Sequence, residues 1–107
     1  MLKRVKRRYL LVEVESEGVL EERELMDAAW SSVMKLYGEY GASKAALKMI
    51  EYDQIEKTLV LRTANDALDK TKAALVVITK VGDKRATLHV MTVSGTLKSL
   101  RTKQKNG

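Results

Sequence analysis

Apolar and polar residues alternate near the start of the chain: Leu10, Val12 and Val14 fall on one side, and Tyr9, Leu11, Glu13 and Glu15 on the other, with Glu17 following in phase. This period of two marks a half-buried strand with one face under helices. Gly18 breaks it, and the period changes. Leu25, Ala29, Val33, Leu36 and Tyr40 recur at helical spacing opposite Glu24, Asp27, Ser31 and Lys35, which predicts a helix over Glu21 to Tyr37 ended by Gly38 or Gly41. Glu21, Glu22 and Glu24 suit its first turn, where negative charge complements the helix dipole. A second apolar stripe, Met26, Trp30, Met34 and Tyr37, lies beside the first. It reads either as a broad core face or as a protein-docking surface anchored by Trp30.

Ala45 to Asp53 and Thr58 to Thr63 read as two strands apolar on both faces, since Leu59, Val60 and Leu61 are consecutive and Leu47, Met49 and Ile50 populate both sides. Asn65 or Asp66 is placed to cap a helix over Ala67 to Lys80, with Leu68, Thr71, Leu75 and Ile78 inward. A turn at Gly82 to Arg85 delivers a last strand that begins at Thr87 and runs through Val93-Ser94-Gly95-Thr96-Leu97-Lys98 to Arg101. The order βαββαβ predicts one α+β domain over residues 1–107, a ferredoxin-like (RRM-like) sandwich whose antiparallel sheet has strand order 4-1-3-2. The last strand then lies antiparallel to the first.

Charge turns that topology into a functional expectation. Residues 1–8 carry five basic groups and residues 98–107 four, with no acid in either; the eleven basic and fourteen acidic residues between them leave the body at −3 within a total of +6. If the first and last strands pair, both basic runs meet in one patch of the kind that binds a polyanion. Disordered basic tails are the competing explanation. Cysteine is absent, which excludes disulfides, thiol nucleophiles and thiolate metal sites. No apolar run is long enough for a membrane span and no secretory leader is recognisable, so a cytoplasmic protein without membrane contact is expected.

Catalytic constellations are missing: the single histidine, His89, sits mid-strand, and neither a nucleophile elbow nor a phosphate-cradling glycine loop is present. Glu13, Glu15 and Glu17 have the spacing to hold Mg²⁺ but equally that of a solvated strand face. The third strand, Lys57-Thr58-Leu59-Val60-Leu61-Arg62, has no aromatic, and the chain has no Phe, so bases lack a stacking platform there. Phosphate contact and shape recognition of a folded RNA remain. The candidate RNA-binding residues are Lys3, Arg4, Lys6, Arg7, Arg8, Thr96, Lys98, Arg101 and Lys103; the candidate protein interface is Met26, Trp30, Met34 and Tyr37.

Basic residues running into Arg8-Tyr9-Leu10-Leu11, and the closing Val93-Ser94-Gly95-Thr96-Leu97-Lys98, resemble the small protein subunit of archaeal and eukaryotic ribonuclease P, a likeness extending over nearly the whole chain. By that resemblance Arg8, Tyr9, Ser94, Gly95, Thr96 and Lys98 occupy positions the family holds in common. The resemblance implies a protein without an active site of its own inside an endoribonuclease. The RNA subunit, with Mg²⁺, removes the 5′ leader of precursor tRNA, while this chain binds no cofactor. It also implies pairing with a TIM-barrel protein subunit and self-association of such pairs. Two other functions fit the elements alone: a ferredoxin-like oligomerisation or small-ligand regulatory domain, and a metal-dependent nuclease built on Glu13, Glu15 and Glu17.

Overall fold

The alternating segment becomes β1, Arg7–Ser16, the middle strand of a five-stranded sheet. The structure, a computed structural model, describes residues 6–106, with side chains through Thr102. After β1 come α1 (Glu22–Ala45), β2 (Lys48–Asp53), β3 (Thr58–Ala64), a 3₁₀ turn at Asn65–Ala67, α2 (Leu68–Val76), β4 (Lys80–Val81), β5 (Lys84–Ser94) and α3 (Leu97–Asn106). The sheet order is β2-β3-β1-β5-β4, and all described pairings are antiparallel. The sheet thus departs from the expected four-stranded 4-1-3-2 arrangement by a fifth strand, β4, at the edge beyond β5. The expected helix to Lys80 stops at Val76, beyond which Lys80–Val81 forms a two-residue edge strand against Arg85 and Lys84 across the Gly82-Asp83 turn.

Most of the core lies on one face. Leu10, Val12 and Val14 of β1 point with Leu59, Leu61 and Leu88 toward Leu25, Ala29 and Val33 of α1 and Ala74 and Leu75 of α2, all buried. α1 opens with the backbone N–H of Glu21 donating to Glu24 Oε1 at 3.1 Å, which satisfies one of the free donors of a helix start. It does not stop at Gly38. That glycine takes φ 76°, a left-handed conformation open to it without a Cβ, and the helix resumes to Ala45. The expected inward stripe is already outward at Leu36, 48% exposed before the kink, and beyond it Tyr40 is 75% exposed, while Ala42 and Ala45 take the inner positions. Neither Asn65 nor Asp66 caps α2; its N-cap is Ala67, with no side-chain cap bond. Tyr52 ties β2 to the start of α1 by donating to the Leu20 carbonyl oxygen at 2.7 Å, and burial, with a smaller contribution from Glu24, holds its phenol above the ordinary value of 10.

The largest departure from expectation is at the C-terminus. The last strand ends at Ser94, and Leu97–Asn106 is a helix across the other sheet face. Thr96 starts it: its hydroxyl accepts from Ser99 N at 3.1 Å and its carbonyl from Leu100 N at 3.1 Å. Leu100, fully buried, packs with Leu11 and Val60, bordered by Tyr9, Ile50 and Leu97. The apolar second face of β3 is therefore covered in part by the chain's own tail.

Candidate nucleic-acid interface

The register of β1 and β5 decides whether the basic ends meet. Tyr9 lies opposite Ser94 and Leu10 opposite Val93, so the start of the first strand and the end of the last are neighbours. A Cβ placed on Gly95 would lie 3.4 Å from Nη1 of Arg8, so the guanidinium rests beside the turn between β5 and α3. Lys6 joins the same end, its carbonyl accepting from Asn65 N at 2.8 Å. Of the predicted RNA contacts, Lys6, Arg7, Arg8, Thr96 and Lys98 thus gather at one end of the sheet. Lys3 and Arg4 lie outside the described residues, as does the side chain of Lys103, whose backbone belongs to α3.

α3 places its charges against its own dipole. Its first turn holds Lys98 and no acid, whereas a helix N-terminus carries partial positive charge and disfavours cations by a few tenths of a kcal/mol or more. Fold stability alone would not select this arrangement, and a nearby polyanion reverses its sign. Thr96 spends its hydroxyl oxygen on the helix cap while its proton remains able to donate.

Arg101 is held differently. Its Nη2 donates to Glu51 Oε1 at 2.5 Å, joining α3 to β2. Both side chains are about half exposed, so the pair contributes under about 1 kcal/mol. Glu51→Gln is expected to leave thermal stability within about 1 kcal/mol of the parent and to raise RNA affinity a few-fold at low salt. It frees one cation and removes one acid. Parallel melting and RNA titration check this; a lower affinity would mean that the pair positions α3 for binding.

The predicted protein interface divides. Trp30 and Met34, 37% and 38% exposed, line a groove of about 600 Å³ with Leu36, Val77 and Ile78 on the helical layer, the face of the sheet opposite α3. Met26 and Tyr37 are half-buried against the core. The glutamates of the nuclease alternative are spread along β1 and beyond it: Glu15 Oε1 sits 3.6 Å from Nε2 of the half-exposed His89, and Glu17 Oε1 sits 3.9 Å from Nε of Arg85. Among the described residues no group of three or more acids, histidines or cysteines is placed to hold a metal ion, and no described helix is long and apolar enough to cross a membrane.

Sequence reasoning missed Leu100 and Glu51, the two residues that dock α3. Leu97 and Leu100 at i, i+3 after Thr96 carried a weak helical signal; the Glu51 to Arg101 pairing, fifty residues apart, had none.

A profile of the Rpp14/Pop5 family matches residues 8–105. Ribonuclease P protein component 2 of Pyrococcus furiosus is 29% identical over 100 residues, covering 94% of this chain and 83% of that protein. The protein of the same name from Methanosarcina barkeri is 30% identical over 95 residues, 89% of this chain and 69% of its own length. That from Methanosarcina acetivorans is 31% identical over 100 residues, 94% and 74%. In structure, a chain of the cryo-EM structure of yeast ribonuclease MRP superposes with a TM-score of 0.70 at 12% identity, over 99% of this chain and 96% of that one. The match runs from Arg8, beside the β5–α3 turn, through α3 itself, and with it this chain belongs to the Rpp14/Pop5 family.

Proposed function

We propose that this chain is the component 2 protein subunit of a ribonuclease P and that it binds the catalytic RNA through the basic end of its sheet. The observation that supports the RNA contact is the pairing of Tyr9 with Ser94, which brings Arg7 and Arg8 at the start of β1 to the end of the sheet from which α3, with Lys98, departs. The relatives named ribonuclease P protein component 2 support the assembly. Arg7, Arg8 and Lys98 neutralise backbone phosphates, Thr96 donates to a phosphate oxygen, and no base is read. The effect is to lower repulsion between packed RNA helices, so that the active RNA conformation forms at lower Mg²⁺ concentration. The metal belongs to the RNA, which removes the 5′ leader of precursor tRNA, and this chain has no catalytic residue. A second protein, the TIM-barrel subunit of the enzyme, docks on the Trp30–Met34 groove, where exposed apolar side chains line a concave surface. Self-association uses the same helical layer, and the complex works in the cytoplasm.

Reconstitution tests this. The ribonuclease P RNA of the same organism is combined with its TIM-barrel protein and precursor tRNA, with and without this chain, across a Mg²⁺ series. Addition of the chain is expected to move the half-maximal Mg²⁺ concentration for 5′ cleavage downward. Unchanged cleavage at every Mg²⁺ concentration, or cleavage by the chain without RNA subunit, would overturn the assignment.

A further inference from the structure

Three rows of residues cross the α3 face of the sheet. The middle row, Glu51, Val60, Leu11 and Thr92, includes Val60 and Leu11, which meet Leu100. Two positions to one side, Asp53, Thr58, Glu13 and His89 form a row with two acids. Two positions to the other side lie Lys48, Arg62, Tyr9 and Ser94, a row with two bases and no acid, at the end where Arg7 also faces. α3 thus separates an acidic strip from a basic one on a single face.

Lys48 and Arg62 are paired residue to residue across β2 and β3. Like charges directly opposite in a sheet are destabilising. Neither has a carboxylate within ion-pair distance among the described residues. Glu51, an acid on this face and on the strand of Lys48, is taken by Arg101. Arg62 is half-buried and stands opposite Tyr9, and the planar fork of an arginine fits phosphate oxygens in a bidentate manner.

We propose that Lys48 and Arg62, with Arg7 and the phenol of Tyr9, form a second phosphate-binding site, on the α3 face, for the RNA backbone. This rests on the RNA-binding function proposed above and extends it from the strand ends onto the sheet. The RNA backbone would follow the basic flank of α3 and be kept from the opposite flank by Glu13 and Asp53. A phosphodiester bound between the two cations converts their repulsion into attraction, so RNA binding would relieve a cost that the free protein carries.

The test uses the double variant Lys48→Gln/Arg62→Gln in the full chain, the ribonuclease P RNA as probe, and titrations between 50 and 200 mM salt. Removing two phosphate contacts should reduce the salt-induced loss of affinity roughly tenfold. Melting of the free protein should be unchanged or raised, because the repulsion is gone. A charge-preserving variant, Lys48→Arg/Arg62→Lys, should keep the parental salt dependence; loss there as well would show that the substitutions act through the fold and would overturn the site. Arg8→Gln/Lys98→Gln is measured in parallel. If that pair reduces the salt dependence and Lys48→Gln/Arg62→Gln does not, the sheet site is wrong and the strand-end patch stands. If neither does, RNA binding by this chain falls, and the sheet site with it.

Discussion

Changing Arg7, Arg8 and Lys98 together to glutamine is expected to flatten the salt dependence of RNA binding. If about five cations of the parent chain displace counterions, raising salt fourfold weakens its binding by roughly two to three orders of magnitude. Removing three of those contacts shrinks that loss by roughly fortyfold. The three residues lie on different elements, two on β1 and one on α3, and act together because the Tyr9–Ser94 pairing brings those elements side by side. None belongs to the core clusters, so the fold should melt as the parent does. An undiminished salt slope would take the patch out of the mechanism even where the assembly itself forms.

Leu100→Ala is the second large effect, expected on stability first and on RNA affinity through it. Leu100 is fully buried, yet among the described residues its cluster holds only Leu11 and Val60 as other buried members. Truncating a buried leucine costs about 2–5 kcal/mol, and a small cluster that can partly collapse belongs at the lower end. A loss of about 2–3 kcal/mol lowers Tm by roughly 10–20 °C in a domain of this size. With α3 loosened, Lys98 is no longer held at this end of the sheet, and affinity should fall while the core under α1 and α2 persists. Leu100→Met, similar in volume, should cost under about 1.5 kcal/mol. Thermal melting and protease sensitivity at the β5–α3 turn measure both variants. Parental stability with Leu100→Ala would mean that α3 does not depend on this anchor.

The central strand was legible because one of its faces is buried, and burial forces the period of two that Leu10, Val12 and Val14 display. β2 and β3 were legible for a related reason. Their apolar residues on both faces demanded two covers, of which the chain itself was expected to supply only the helical layer. The other, α3, was hidden in a segment rich in lysine where two leucines are the entire apolar signal, and such a helix forms through docking rather than propensity. Gly38 was expected to end a helix and instead bends one, because Ala42 and Ala45 beyond it still find core to bury against. A two-residue strand such as Lys80–Val81 has no pattern of its own and exists only because β5 offers an edge. Of the candidate site, the formal charges and the pairing of the strands that carry them were readable. The sorting of cations by face was not, since that depends on the bulged registers of β5 and β2.

The most direct measurement of the account places a photo-crosslinking side chain at position 8 in one variant and at position 98 in another, and maps each crosslink on ribonuclease P RNA. Crosslinks falling within a few nucleotides of each other are the expected result, because the two positions belong to one surface. Crosslinks to separate RNA elements, or none from either position, would contradict a single patch formed by the two chain ends.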